Sequence, residues 1–303
     1  MAIVLGANQY GKAEIRLLHV SRDGGAHMIR DLNVTVTLSG DLAATHLTGD
    51  NTAVLTTDAQ KNTVFAFAKE YGVDQIEDFA LLLARHFVDS QPTISFARIT
   101  VEQYPWERLG GHSFCRSGRE VRTAMVSYDG HGSWVVSGLR DLTLLNSAGS
   151  EFWGFARDRY TTLAETTDRI LATAVNARWR HAGPLTPDPG SKGAAGSVGA
   201  VGAGPGWADS YCAARDLLVA AFADTHSHSL QQTLFAMGQR VLDGRPEIAE
   251  IRLSLPNKHH FEVDMAPFGL ENAGEVFYAA DRPYGLIEGT VTRDEAPPPE
   301  KAW

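Results

Sequence analysis

The chain has 303 residues, of which 44% are hydrophobic and 21% are charged, a composition typical of an ordinary globular protein. This length favours two domains and allows a large buried core. The formal net charge of −9 and the interleaving of basic with acidic residues argue against a nucleic-acid binder, which needs clustered Lys and Arg. No run approaches the roughly eighteen apolar residues of a membrane span.

Features of the termini and the cysteine content predict the compartment. Cys115 and Cys212 are the only cysteines, which is too few for a disulfide framework and favours a reducing environment. The opening apolar run is too short for a signal peptide, and the ending EKAW differs from the peroxisomal Ser-Lys-Leu signal. We therefore expect a soluble cytoplasmic protein with neither a membrane nor a nucleic acid as partner.

Taken in chain order, strand-like and helical patterns occur in the same succession twice. The first half has two strand-like runs, two helices and three more strand-like runs, at 13–22, 27–41, 56–72, 74–87, 92–104, 120–130 and 133–145. The second half has one strand-like run, two helices and two more strand regions, at 169–181, 208–223, 229–242, 247–265 and 285–293. The repetition predicts a tandem α+β duplication, with one domain over 1–140, another over 141–295 and a tail over 296–303.

Helix ends and helix faces have specific signals. Thr57 with Gln60, and Asp74 with Glu77, have the spacing of capping boxes, while Ser229 is placed to cap the helix that follows it. Apolar residues at helical spacing predict the buried faces as Ile76, Phe79, Ala80, Leu83 and Phe87, as Tyr211, Ala214, Leu218 and Phe222, and as Leu230, Leu234, Met237 and Val241.

The segment 183–206 is dense in Gly, Ala and Pro, which is typical of a flexible loop. A phosphate-binding loop would end in Gly-Lys-Ser/Thr, and a dinucleotide fingerprint would need a third Gly where Trp207 lies. Neither pattern is met, so the segment is interpreted as a loop.

Pairs of potential metal ligands occur at two places. His112 lies three residues before Cys115, and His226 lies two residues before His228. A zinc site needs three or four ligands in a frame such as C-x-x-C or H-E-x-x-H, and the sequence has no such frame. These residues are interpreted as surface or core histidines, and no metal is predicted.

The stretch LPNKHHF sets an amide and an imidazole on an otherwise apolar stripe of the strand predicted over 247–265. Residues two apart share a strand face, so Asn257 and His259 would lie side by side while His260 would point away. One explanation is a pair of satisfied polar residues beside a bulge at Pro256. An unpaired buried polar group costs about 1–3 kcal/mol, so the alternative is that both residues face a ligand.

Several segments together resemble the urate oxidase (uricase) family. They lie in the family's order and spacing from about residue 8 to 292, and read QYGKAEIRL, DNTAVLTTDAQKNTV, GHSF, EFWGFARDRYTTLAETTDRILAT, SLQQT, LPNKHHF and DRPYGLIE. The resemblance implies two tunnelling-fold domains, each an antiparallel four-stranded sheet with two helices on one face. Two subunits would close a sixteen-stranded barrel, and two barrels would form a homotetramer around a tunnel, with active sites at subunit interfaces.

The resemblance also implies a clamp for the substrate. Arg169 would hold one edge of the planar urate anion through its forked donors, and Gln231 would bind the opposite edge. Phe152 would stack on the purine ring, and the backbone at Leu230 would add a hydrogen bond.

A second implied group transfers protons and holds the oxidant. Thr57 and Asp58 would close the site from the neighbouring subunit, with Lys12 of that neighbour beside them. Lys12, Thr57 and His259 would form a proton relay. Asn257, together with Thr57, would hold dioxygen or water above the substrate plane.

The implied reaction converts urate, dioxygen and water to 5-hydroxyisourate and hydrogen peroxide in purine catabolism, without cofactor or metal. Two alternatives stay open. A pterin-handling relative of the same fold would anchor its ring with a carboxylate, whereas Arg169 and Gln231 suit an anionic, carbonyl-rich ring better. A tetrameric scaffold could bind purines without turnover, but such a protein needs no proton relay.

Overall fold

The computed structural model describes residues 2–22, 25–185, 206–280, 282–299 and 301–303. Nearly all of the loop predicted over 183–206 lies outside the described residues. Cys115 and Cys212 are both exposed and free. Within the described ranges, no helix is long and apolar enough to cross a membrane.

The described elements alternate between strands and helices in the predicted succession. The strands are β1 Tyr10–Ser21, β2 Met28–Gly40, β3 Ile94–Tyr104, β4 Trp106–Arg108, β5 Phe114–Arg116, β6 Val121–Tyr128, β7 Ser133–Asn146, β8 Leu171–His181, β9 Ile248–Asn257, β10 His260–Glu262, β11 Phe277–Ala279 and β12 Gly285–Thr292. The helices are α1 Ala43–Thr48, α2 Thr57–Tyr71, α3 Ile76–Ser90, α4 Trp207–Asp224 and α5 Leu230–Gly244, with a short 3-10 helix at Ala266–Phe268.

Each predicted strand or helix corresponds to an observed element, and the differences are local. The region 247–265 is divided between β9 and β10. The helix α1, the small hairpin of β4 and β5, the strand β11 and the 3-10 helix at Ala266–Phe268 were not predicted. These elements have three to six residues each, too few to show a periodic pattern.

The described residues form two compact units. The first consists of Met1–Gly138, Arg180–Tyr211 and Pro297–Trp303, and the second of Leu139–Trp179 and Cys212–Ala296. The division into tunnelling-fold domains at 1–140 and 141–295 with a tail at 296–303 stays a prediction.

In the first unit, β1, β2, β3 and β6 are antiparallel neighbours in that order. Alternate residues of β2 are buried, as expected for a strand with one covered face; they are Leu32, Val34, Val36 and Leu38. The helices α2 and α3 pack against the same buried cluster. The predicted face of α3 is confirmed, because all of its residues are buried, namely Ile76, Phe79, Ala80, Leu83 and Phe87.

In the second unit, β7, β8, β9 and β12 are neighbours in that order, and β12 pairs antiparallel with β9. The helix α5 packs on β9 and β12, and its predicted face is buried at Leu230, Leu234, Met237 and Val241. Gly238 permits this close packing, because an added Cβ would lie 2.5 Å from Cγ2 of Val291. The α+β class with antiparallel sheets is therefore confirmed.

The second predicted capping box is wrong. The helix α3 begins after Gln75, and in the described part of the chain no side chain caps it. Glu77 is instead fully buried, with its Oε2 2.7 Å from Nη2 of Arg122, and the hydroxyl of Ser137 donates to its Oε1 at 2.7 Å. Burial raises the pKa of the Glu77 carboxyl, while the charge of Arg122 opposes the rise. The Glu77 carboxylate therefore pairs with groups in the interior of the unit and does not cap the helix.

Replacing Arg122 with Ala is expected to lower the free energy of unfolding by about 3–5 kcal/mol, because Glu77 would stay buried without its ion partner. The control is Arg240→Ala, since the pair of Arg240 with Asp224 is largely exposed and such pairs contribute at most about 1 kcal/mol. Chemical denaturation at neutral pH measures both changes. Equal effects of the two substitutions would contradict the importance of the buried pair.

Candidate active site

The segment 150–152 of the second unit is held by backbone hydrogen bonds on two sides. On one side, the N–H of Glu151 donates to the carbonyl of Ser227 at 2.8 Å. On the other, Phe152 and Thr166 exchange two bonds, of 2.8 and 3.0 Å. Phe152 is thereby fixed between the segment around Thr166 and the loop that precedes α5.

Arg169 lies over the ring of Phe152, with its guanidinium carbon 5.0 Å from the ring centroid. Its Nε donates to Oγ of Ser150 at 3.3 Å. Burial lowers the pKa of Arg169, although an arginine stays cationic at neutral pH. In the described part of the chain its two Nη groups have no hydrogen-bond partner, so the fork can bind a planar anion.

The helix α5 begins directly after the loop containing Ser227, and its predicted cap is confirmed. The Oγ of Ser229 accepts a hydrogen bond from the N–H of Gln232 at 3.2 Å. Leu230 is buried and Gln231 is exposed. The first N–H groups of a helix have no partner within it, and the helix dipole favours an anion there. This end of α5 therefore suits an anionic ligand.

Asn257 is the last residue of β9 and lies opposite Gly285 of β12. The next residue, Lys258, donates its N–H to the carbonyl of Ala172 at 2.8 Å. Ala172 is the second residue of β8, which begins two residues after Arg169. The pairing of β9 with β8 thus brings Asn257 and Arg169 to neighbouring strand ends.

The single strand predicted through His259 and His260 is divided in the structure, because β9 ends at Asn257 and β10 begins at His260. The ladder between β9 and β12 ends at Asn257, since β12 begins opposite that residue. His260 starts β10, which pairs with β11. His259 lies between the two strands, and its carbonyl accepts a bond from the N–H of Ala280 at 2.9 Å. Asn257 and His259 therefore do not belong to one continuous strand.

In the first unit, Lys12 lies at an irregularity of β1. The register between β1 and β2 shifts between Lys12 and Ile15, and Glu14 has a φ of 56° there. Such bulges redirect side chains. The hydroxyl of Tyr10 donates to the carbonyl of Leu55 at 2.9 Å, which ties this part of β1 to the segment before α2.

Asp58 lies in the first turn of α2 and accepts two side-chain hydrogen bonds, from Nζ of Lys61 at 2.6 Å and from Nδ2 of Asn62 at 2.9 Å. The bond from Lys61 holds the pKa of the Asp58 carboxyl below its usual range, and the charge of Lys12 acts in the same direction.

The first predicted capping box is displaced by one residue. Thr56 is the N-cap of α2, and its Oγ1 accepts a hydrogen bond from the N–H of Ala59 at 3.1 Å. Gln60 donates its Nε2 to the carbonyl of Leu55 at 3.2 Å. The hydroxyl of Thr57 has no hydrogen bond to any described residue, so capping does not occupy it.

The candidate residues are divided between the two units. The first unit has Lys12, Thr57 and Asp58, and the second has Phe152, Arg169, Leu230, Gln231, Asn257 and His259. Sequence patterns did not indicate the supporting role of Ser150, because a serine beside a strand end has no distinctive signal. They also did not show that Glu151 lies against both His226 and His228.

A model of the uricase family matches residues 8–127 and 135–288. The chain belongs to the uricase family. The resemblance drawn from the quoted segments is thereby confirmed, and the match covers every candidate residue named above.

Relatives of this family match over nearly their full length. The uricase of Arthrobacter globiformis is 49% identical over 303 residues, covering 99% of this chain and 94% of the relative. The uricase of Aspergillus flavus is 35% identical, covering 95% and 96%. The crystal structure of the uricase from Arthrobacter globiformis has a TM-score of 0.88 at 48% identity, covering 98% of both chains. A urate oxidase structure from Bacillus sp. TB-90, at 24% identity and a TM-score of 0.76, shares the fold.

Two neighbouring threonines should differ in their effect on stability. Thr56→Ala is expected to lower the free energy of unfolding by about 1 kcal/mol, because the helix loses its cap. Thr57→Ala, in the first turn, should change it by at most about 0.5 kcal/mol. Urea denaturation of both variants measures the difference. A larger loss in Thr57→Ala would reverse the assignment of the cap.

Proposed function

We propose that this protein is a urate oxidase that converts urate, dioxygen and water to 5-hydroxyisourate and hydrogen peroxide without a cofactor. The observation that carries the proposal is the placement of the Arg169 fork over Phe152, in a chain of the uricase family. A cationic fork, an aromatic ring and the N terminus of α5 together suit a flat, anionic, carbonyl-rich ring.

Four residues of the second unit bind urate in this proposal. Arg169 holds one edge bidentately through its forked donors. Gln231 binds the opposite edge as donor and acceptor, and the N–H of Leu230 adds a hydrogen bond. In the structure, the Arg169 guanidinium lies over the Phe152 ring. When urate stacks on Phe152, this guanidinium moves aside to the edge of the urate.

The chemistry needs no flavin if urate itself becomes electron-rich enough to reduce dioxygen. Removing a second proton from bound urate does this. Lys12 takes that proton through the hydroxyl of Thr57, and His259 extends the relay. Asn257 holds first dioxygen and then water, which adds to the dehydrogenated purine. Urate loses two electrons in the process, and dioxygen gains two electrons and two protons to become hydrogen peroxide.

We propose further that the site is completed between subunits of a cytoplasmic homotetramer. The group of Lys12, Thr57 and Asp58 from one subunit meets the urate-binding group of its neighbour. The antiparallel four-strand order of the first unit supports a tunnelling-fold assembly, in which paired subunits close a sixteen-stranded barrel. Separated subunits are then inactive.

The function is tested by incubating metal-stripped protein with urate in air. Loss of urate absorbance, oxygen uptake and peroxide release are followed together. Equal rates of all three without added cofactor are the expected result. Saturable urate binding without turnover would favour the purine-binding scaffold, and the absence of both would favour a pterin as ligand.

Replacing Lys12 with Met is expected to lower turnover at least about 100-fold, the scale of lost acid–base catalysis. Affinity for a non-oxidisable urate analogue should change little, because Lys12 is not part of the clamp. Thr57→Ala should behave in the same way. Lys69→Met is the control, since Lys69 is exposed in the last turn of α2. Near-normal turnover of Lys12→Met would remove Lys12 from the relay.

Arg169→Ala is expected to weaken binding of the same analogue by about 10- to 100-fold, because charge-assisted hydrogen bonds contribute about 1.5–3 kcal/mol. Arg157→Ala is the matched control. Arg157 lies over the ring of Phe155 at 5.1 Å, in the same part of the chain, and has no role in the clamp. Equilibrium titration compares the two variants, and unchanged affinity in Arg169→Ala would contradict the clamp.

A further inference from the structure

Glu151, His226 and His228 form a cluster of potential metal ligands in the second unit. The Oε1 atom of Glu151 lies 2.7 Å from Nε2 of His226 and 2.9 Å from Nδ1 of His228. All three ligand atoms lie within 4.8 Å of one another, and among the described residues this is the one such group of three His, Cys, Asp or Glu side chains. Two imidazoles and one carboxylate are a ligand set found in zinc and non-haem iron sites.

The backbone brings the two histidines to the carboxylate. Glu151 donates its N–H to the carbonyl of Ser227 at 2.8 Å, and Ser227 lies between His226 and His228. Side chains two apart on an extended segment point to the same side, so both rings face Glu151. The N–H of His228 also donates to Oε1 of Gln232 at 2.8 Å, which fixes the loop against α5.

The carboxylate is oriented while the histidines stay accessible. The second oxygen of Glu151 accepts a hydrogen bond from Nε1 of Trp153, a contact of the kind that orients metal ligands. The Glu151 side chain is 14% exposed, compared with 57% for His226 and 58% for His228. His226 also lines an open surface cleft with residues 145–149 and 223–225. An ion can therefore reach the cluster from solvent.

The observed separations are close to those of a coordinated ion. Because metal bonds to such ligands are about 2.0–2.2 Å long, donor atoms at octahedral or tetrahedral angles lie about 3.0–3.5 Å apart. The separations of 2.7 and 2.9 Å need to open by only a few tenths of an ångström. The two imidazole nitrogens lie within 4.8 Å of each other, so the exposed rings also turn to bring this distance into the same range.

We propose that Glu151, His226 and His228 bind one divalent first-row transition-metal ion, represented by Zn²⁺, with water in the remaining coordination positions. The ion replaces the hydrogen bonds between the imidazoles and the carboxylate, and each displaced proton moves to the other nitrogen of its ring or to solvent. The bound ion links segment 150–152 to the loop before α5. The site uses none of the urate-binding side chains, so it does not depend on the proposed function.

The test titrates chelator-treated, full-length protein with Zn²⁺ by calorimetry, with metal content measured after dialysis. We expect one Zn²⁺ per chain, without displacement by excess Mg²⁺, which prefers oxygen ligands. His228→Ala and Glu151→Gln should each weaken binding at least about 10-fold. Zn²⁺ should also raise the Tm of the unaltered protein, because binding stabilises the folded state, and should not raise that of His228→Ala.

A double substitution elsewhere provides the matched control. The rings of His27 and His112 lie 6.3 Å apart and belong to no three-ligand group within the described ranges. His27→Ala/His112→Ala should therefore bind Zn²⁺ like the unaltered protein. The proposal is overturned if the unaltered protein binds Zn²⁺ no more tightly than His226→Ala/His228→Ala. It is also overturned if His27→Ala/His112→Ala loses Zn²⁺ affinity while His226→Ala/His228→Ala keeps it. Circular dichroism checks that each variant is folded.

Discussion

The hydrogen bond from the N–H of Glu151 to the carbonyl of Ser227 organises the polar chemistry of the second unit. It fixes segment 150–152 against the loop before α5, so that Phe152 receives Arg169 over its ring. The same bond orients Glu151 toward His226 and His228. This hydrogen bond joins backbone atoms, so the position of the segment does not depend on its side chains. One short backbone pairing thus supports both the proposed urate clamp and the proposed metal site.

The first unit separates structural from chemical roles at the start of α2. Thr56 caps the helix, and Gln60 donates a hydrogen bond to the carbonyl of Leu55. Among the described residues, none forms a hydrogen bond with the hydroxyl of Thr57. Asp58 accepts bonds from Lys61 and Asn62, which hold the pKa of its carboxyl below the usual range. A residue whose hydroxyl has no structural task is suited to relay a proton.

Local patterns predicted the elements better than their ends. The faces of α3 and α5 were predicted correctly, because burial of an amphipathic helix follows its own period. Capping boxes were less informative, since the same spacing occurs at Thr57 and at Asp74 without a box at either. Glu77 shows the reason, because its buried carboxylate pairs with Arg122 of β6 and is not available to complete a capping box.

The sequence by itself determined the α+β class, the order of the elements, the cap at Ser229 and membership of the uricase family. These depend on periodicity and on contiguous motifs, which are local in the chain. Only the tertiary structure decided that β9 ends at Asn257, because the start of β12 sets the end of the ladder. Only the tertiary structure also brought together Glu151 and His226, which are 75 positions apart in the sequence. Such contacts follow from backbone pairing between distant segments, which no local pattern of residues encodes.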